Sequence, residues 1–245
     1  MKKVLPEFPQ RSRFRRSAIL IAIAAGLLVG CDTVRNELNL PPTVEAPTYY
    51  RPSNVYVYSL SLPASLRRVA LLPMTTANAV ASQQAGTEEL EPVLQSELEK
   101  TKRFEVVTLS GDDMRQLTGQ STWRADEPLP LDFFDKLQRS TGCDAVMFSQ
   151  LTKYQPYQPL AVGWKLSLAS KTAATNAQPQ LLWSVDEVLD AGESQVAKAA
   201  RTYYMQHVHT EQTQADPGTI LRSPGLFGRF SLEVLFATLP ERDKD

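Results

Sequence analysis

The sequence predicts a mixed α/β (α+β) domain: one sheet of about five strands, helices packed on it, and an apolar helix at its C-terminal end. Three observations predict this class. Between residues 67 and 142, short apolar runs alternate with segments whose apolar positions recur at helical spacing, the order that lays helices on a sheet. Between residues 145 and 189 come three strand-like segments joined by loops of hairpin length. From residue 220 the chain turns strongly apolar, with Phe227, Phe230, Leu232, Val234, Leu235 and Phe236 in one helical stretch.

The first element is a targeting segment, residues 1–30. Lys2, Lys3, Arg11, Arg13, Arg15 and Arg16 stand against the single acid Glu7, and residues 18–30 are apolar and uncharged. A basic start, an apolar run and small residues before a cut are the parts of a secretory signal. The run is shorter than the ~20 residues that span a bilayer, so a permanent transmembrane helix is the weaker reading. Leu28-Val29-Gly30-Cys31 resembles the bacterial lipobox. The resemblance implies a diacylglyceryl group on the Cys31 sulfur, cleavage between Gly30 and Cys31, and acylation of the new amino terminus. A cysteine suits this role because its thiolate is a good nucleophile, and several acyl chains hold where one alone binds reversibly. The competing reading is an ordinary signal or anchor with a chance cysteine. Apart from this covalent lipid, no cofactor is expected. Asp32 resembles an inner-membrane retention signal of some enteric bacteria, a rule that varies between bacteria, so inner and outer membrane both stay open.

Residues 31–62 read as a lipidated tether. Pro41, Pro42, Pro47 and Pro52 favour extended, semi-rigid chain. Tyr49, Tyr50, Tyr56 and Tyr58 are unusual in a pure spacer. The stretch from Val55 to Leu60 could add a strand or lie across a neighbouring subunit, and it suits equally an amino-terminal arm packed on its own domain.

The body, residues 63–240, follows as a single domain. Residues 67–74 read as a buried strand stopped by Pro73. Glu88 to Lys102 reads as a helix with Leu90, Val93, Leu94 and Leu98 on one face, acids at its start and lysines at its end. Pro92 then belongs to the first turn or marks a later start. Phe104 to Leu109 alternates as a strand. Ser110 offers a cap for a short helix that ends at Gly119, and a second helix, from Pro130 or Leu131, presents Phe133, Phe134 and Leu137 and ends at Gly142. Residues 145–154, 160–169 and 181–189 are the hairpin strands, and alternation around Trp164 and Trp183 implies one buried and one wet face. Ser194 to His209 carries Val196, Ala199, Ala200, Tyr203 and Tyr204 on one stripe. Residues 220–239 are helical with a break at Pro224-Gly225, and residues 241–245 form a charged tail.

Val69-Ala-Leu-Leu-Pro73, the helix running into Arg103-Phe-Glu-Val-Val107, and Thr141-Gly-Cys-Asp-Ala-Val-Met147 together resemble the periplasmic lipoproteins related to the TolB amino-terminal domain. That group includes CsgG, PelC and penicillin-binding-protein activators. The likeness covers roughly residues 66–190 and implies a non-enzymatic envelope protein that binds partners or assembles into rings. The long alternating amphipathic segments of a pore-forming member are missing here.

Composition narrows the functional classes. The chain holds 26 basic and 27 acidic side chains, and removal of residues 1–30 leaves 20 and 26, a net charge of about −6. A mildly acidic body lacks the basic face of a nucleic-acid binder. Cys143 is the one cysteine left beside Cys31, which excludes an internal disulfide once Cys31 is acylated. Flanked by an apolar strand, it reads as a buried inert thiol. Asp186, Glu187, Asp190 and Glu193 form the densest acidic patch, but strand alternation sends Asp186 and Glu187 to opposite faces and favours a solvated strand end. His207 and His209 would share a face only in a strand, and no third metal ligand is near. No phosphate loop or nucleophile elbow is present.

The expectation is therefore a lipid-anchored cell-envelope protein facing the periplasm. It would be no enzyme, binding another envelope protein or oligomerising as an accessory or scaffold in export or cell-wall assembly. The apolar C-terminal helix is either packed all round as core or presents Phe227, Phe230, Leu235 and Phe236 as a candidate partner surface, with Tyr56 and Tyr58. The alternative is a periplasmic hydrolase or small-ligand binder, for which Asp186, Asp190 and His207 would have to line one pocket.

Overall fold

A computed structural model of the protein describes residues 50–78, 81–171, 179–208 and 216–243. The chain falls into two units, 1–43 and 44–245, and all described residues belong to the second. The readings at Gly30 and Cys31 lie outside the described residues. In chain order the elements are β1 (Val55–Val57), β2 (Ser61–Leu62), β3 (Arg68–Leu71), β4 (Thr75–Thr76), α1 (Ala81–Lys100), β5 (Glu105–Thr108), α2 (Gly111–Thr118) and α3 (Phe133–Thr141). Then come β6 (Ala145–Gln155), β7 (Ala161–Lys171), β8 (Pro179–Asp190), α4 (Ser194–His207), a 3-10 turn (Pro217–Arg222), α5 (Pro224–Phe236) and β9 (Glu241–Arg242).

Seven strands make one mixed sheet in the order β1-β8-β7-β6-β3-β5, with β4 also paired to β6. The count exceeds five because β1, inside the proline-rich span, and β4, just after Pro73, are too short to show a period. β3 is parallel to both β5 and β6, while β6, β7, β8 and β1 run antiparallel in turn. The chain leaves β3 toward β5 on one side and returns past β3 to β6 on the other. Right-handed crossovers in opposite directions put their helices on opposite faces. Accordingly α1 packs in the core on one face, with residues of α4 and α5, and α2 and α3 pack on the other.

The larger core gathers Leu90, Leu94 and Leu98 of α1, Trp164 and Leu166 of β7, Trp183 and Val185 of β8, and the apolar residues of α5. The smaller one packs Met114, Trp123, Phe133 and Leu137 on Ala70, Val146, Phe148 and Ala169. It stops at β7, so the same face of β8 and β1 carries no helix from it.

Three local departures have physical causes. α1 starts at Ala81, seven residues before the expected Glu88, and holds Pro92 in its interior. The Glu88 carbonyl that Pro92 cannot serve belongs to an exposed residue, where water can replace the missing donor. The hidden first turns contain Gly86, which reads as a helix breaker but is required by packing: a Cβ there would lie 2.5 Å from Tyr154 Cγ and 2.9 Å from Leu151 Cδ2. The segment 50–62, expected as the end of the tether, carries β1 and β2 and packs on the domain, with Pro52 and Leu62 buried. Glu241 and Arg242, expected in a charged tail, pair in parallel with Ser61 and Leu62.

α5 is capped by Ser223, whose side chain accepts from the Leu226 N–H, with Pro224 in its first turn. Trp164 Nε1–H donates to Ser231 Oγ at 2.8 Å, and that hydroxyl donates to the Gly228 carbonyl at 2.6 Å. The polar side chain on the buried face of this helix is thereby satisfied. Gly228 lets the helix approach α1, since a Cβ there would sit 2.5 Å from Leu90 Cδ2.

Candidate interaction surface

The sheet register decides which side chains are available to a partner. Val55 pairs with Val185, Tyr56 with Ser184 and Val57 with Trp183. Trp183 and Val185 belong to the larger core, so Val55 and Val57 share that side and Tyr56 stands on the opposite, outer side. Asp186 and Val188 alternate with Ser184 onto the same outer face, and Leu181 joins them by pairing with Ala169 of the smaller core. Lys165, opposite Asp186, donates to Asp126 of the loop that covers the neighbouring part of this face, at 3.1 Å. Beyond it the outer face of β8 and β1 presents Tyr56 (48% exposed), Val188 (43%) and Leu181 (37%), with Tyr58 (59%) and Leu60 (70%) following along the arm. These side chains form an apolar, aromatic strip at one edge of the sheet, interrupted by the exposed Asp186 before Val188.

β1 is also an edge strand. The Asp186 N–H donates to the Asn54 carbonyl and the Tyr58 N–H to the Leu182 carbonyl. Even-numbered residues thus turn their backbone toward β8, and Val55 and Val57 turn theirs outward, as an extended segment requires for pairing.

Of the two readings of the apolar C-terminal helix, core and partner surface, the fold takes the first. Phe227, Phe230, Leu235 and Phe236 are buried in the core, and their rings meet one another or core neighbours: Phe230 lies 5.7 Å from both Phe227 and Tyr203, and Phe236 lies 6.1 Å from Trp183. An apolar helix in a small domain has two faces to hide, and here α1, α4 and the sheet hide both. Tyr56 and Tyr58 lie exposed.

Along the chain Glu187 reads only as part of a solvated acidic strand end. In the fold it alternates with Trp183 and Val185 toward the core side, at the sheet edge, where the chain before β1 crosses it. Its carboxylate accepts from four donors: the Tyr50 hydroxyl at 3.1 Å, the Ser53 N–H at 2.9 Å, the Ser53 hydroxyl at 3.0 Å and the Asn54 N–H at 3.1 Å. Burial, and then the charge of Glu187, push the Tyr50 phenol up to about 12. No pattern along the chain foretells this cluster, because its two halves lie more than 130 residues apart.

The groups that would favour an enzyme are dispersed. Asp186 is exposed on the outer face, whereas Asp190 Oδ2 is held by Lys153 Nζ at 3.3 Å. His207 stacks on Tyr203, with Nδ1 3.2 Å from the Tyr203 carbonyl and Nε2 3.6 Å from Glu233. His209 lies outside the described residues. Cys143 edges a cleft of about 580 Å³ with Leu137, Gln138, Lys171 and Gln180. Burial pushes its thiol up, which keeps it in the unreactive form, and Lys171 Nζ is engaged by Asp135. Among the described residues no group of three His, Cys, Asp or Glu side chains is placed to hold a metal, and no helix is long and apolar enough to cross a membrane.

The chain matches no protein-family model and no curated protein. Among solved structures it is similar to a PelC dodecamer from Paraburkholderia phytofirmans, at 10% identity over 77% of this chain and 99% of that one, with a TM-score of 0.40. It is also similar to the hypothetical protein CT253 from Chlamydia trachomatis, at 8% identity over 69% of this chain and 93% of that one, TM-score 0.41. A third is the lipoprotein GNA1162 from Neisseria meningitidis, at 16% identity over 58% of this chain and 99% of that one, TM-score 0.35. All three fall below one-quarter identity and below a TM-score of 0.5, so the functional reading rests on this chain's own residues.

Proposed function

We propose that this protein is a lipid-anchored cell-envelope component that works by association, as an accessory or scaffold for another envelope protein or for further copies of itself, and not by catalysis. The observation that carries the reading is the uncovered strip of Tyr56, Tyr58, Leu181 and Val188 at the edge of the sheet. Side chains of this kind supply binding energy when a partner desolvates them, and aromatic residues do so at low conformational cost. The strip follows directly on the segment that would lead from Cys31, so anchoring would confine it near a membrane and raise its effective concentration for a membrane-bound partner. The dispersal of Asp186, Asp190, His207 and Cys143 favours association over hydrolysis.

The test is affinity capture of the full chain from membranes with its lipid retained, followed by native mass measurement, for wild type and for Tyr56→Ser/Tyr58→Ser. The wild type is expected to carry a defined companion or to form an oligomer, and the variant to lose it while keeping its melting temperature within a few degrees. A wild type recovered only as a lone monomer would sink the proposal. So would a variant that keeps its assembly. Separately, Cys31→Ser is expected to lose the mass of its acyl groups and to leave the membrane fraction.

A further inference from the structure

We propose that Glu187 is the clasp of a two-position arm: with the clasp closed residues 50–60 lie against β8, and with it open they detach up to Leu62, which stays in the core, and lengthen the chain that leads from the domain to its anchor. Three observations carry this. First, the arm converges on one carboxylate, with the Tyr50, Ser53 and Asn54 donors all on Glu187. Hydrogen bonds to a charged acceptor are the stronger kind, and a clasp made of one side chain opens as a unit.

Second, the arm is otherwise lightly held. β1 is three residues long with one strand neighbour, and the chain is fixed again only at β2, where Leu62 enters the larger core and pairs with β9. Between buried Pro52 and buried Leu62, Val55 is half-buried and every residue from Tyr56 to Leu60 is exposed. A segment with few buried apolar contacts and a short ladder opens at a lower free energy than the sheet it lies on.

Third, β8 survives the loss. Its other edge is paired with β7 along its whole length, from Pro179 to Asp190, and its core residues Trp183, Val185 and Leu189 are seated among side chains of the domain itself. Detachment leaves β8 as the new edge without dismantling the core. The released arm spans about 40 Å when extended. That length is large beside a small domain, so the two positions place the domain at different heights above any surface to which the chain is fixed.

The height difference rests on anchoring at Cys31, whereas the clasp itself does not, and the experiment separates them. Hydrogen exchange is measured on the full chain for wild type, Glu187→Ala and Glu187→Gln. Glu187→Ala is expected to raise exchange at the ladder amides of Tyr56 and Tyr58, and at Asp186, on the order of tenfold or more. The amides of β6 and β7 are expected to stay unchanged, and Glu187→Gln, which keeps an acceptor oxygen without the charge, to fall between. Unchanged arm protection in Glu187→Ala would overturn the proposal, because the ladder and Leu62 would then suffice. Loss of protection throughout the domain would overturn it as well. For the reach, the acylated protein is placed on supported phosphatidylcholine bilayers and its height read by neutron reflectometry. The Glu187→Ala domain is expected to stand higher, by no more than the ~40 Å of the extended arm. Equal heights with the arm freed would refute the change in reach and leave the clasp intact, while failure of the protein to bind the bilayer would count against anchoring alone.

Discussion

Gly86→Ala should destabilise the protein even though alanine is the better helix former. Within an exposed helix the exchange would gain about 0.5–1 kcal/mol. Here the new Cβ would stand 2.5 Å from Tyr154 Cγ, 2.7 Å from Cδ1 and 2.9 Å from Leu151 Cδ2. Tyr154 cannot swing away freely, since its hydroxyl donates to Glu89 on the same helix and its ring packs in the larger core. Overpacking of this kind costs about 1–3 kcal/mol, and three contacts under 3.0 Å against a held ring put it in the upper half of that range, so the net loss is about 1–2.5 kcal/mol once the helix gain is set against it. For a domain of this size that lowers the melting temperature by about 2–10 °C. Gly228→Ala is the internal control. Its Cβ meets a single close atom, Leu90 Cδ2 at 2.5 Å, with the next at 3.7 Å. One methyl at the end of a flexible side chain moves more cheaply than an aromatic ring, so the second variant should lose less. Urea unfolding followed by the fluorescence of Trp123, Trp164 and Trp183 measures both. A Gly86→Ala protein as stable as wild type, or the opposite order of the pair, would refute the packing account of where α1 begins.

Phe230→Ala, which empties a fully buried site against Tyr203 and Phe227, should cost about 3–5 kcal/mol and lower the melting temperature by on the order of 10 °C; a change near zero would return this helix to the surface. In alkali, the Tyr50 phenol is raised from 10.0 to about 12, so the docked arm favours the neutral ring. Its contribution is complete below pH 10 and disappears as the pH climbs through about 12, which phenolate absorbance of wild type minus Tyr50→Phe should follow; ionisation at the ordinary value would contradict the contact with Glu187.

Much of this architecture could be read in the sequence wherever pattern and burial coincide. The hairpin strands around Trp164 and Trp183 alternate because one face meets a core, and Gly119 and Gly142 end α2 and α3 in left-handed geometry that glycine adopts without strain. What escaped was set by distant partners. Gly86 looks like a helix breaker until Tyr154 is placed above it. The phenylalanines of α5 suit core or surface alike until α1 supplies their second wall. The candidate site divides the same way: Tyr56 and Tyr58 stood out by composition, but Leu181 and Val188 joined them only through register, and Glu187 acquired its partners only once β1 had been laid beside β8.

The position of β1 also sets a timetable. Among the described residues it is the first strand to be made, yet its seat is not complete until Glu187 has been delivered. β3 waits in the same way for β6, its neighbour on the inner side of the sheet. Pairings between segments so far apart form slowly, because a long loop must close before they contribute. A polypeptide threaded amino end first therefore carries β1 unseated through most of its passage, and any premature stop before β8 leaves that strand with nothing to lie on.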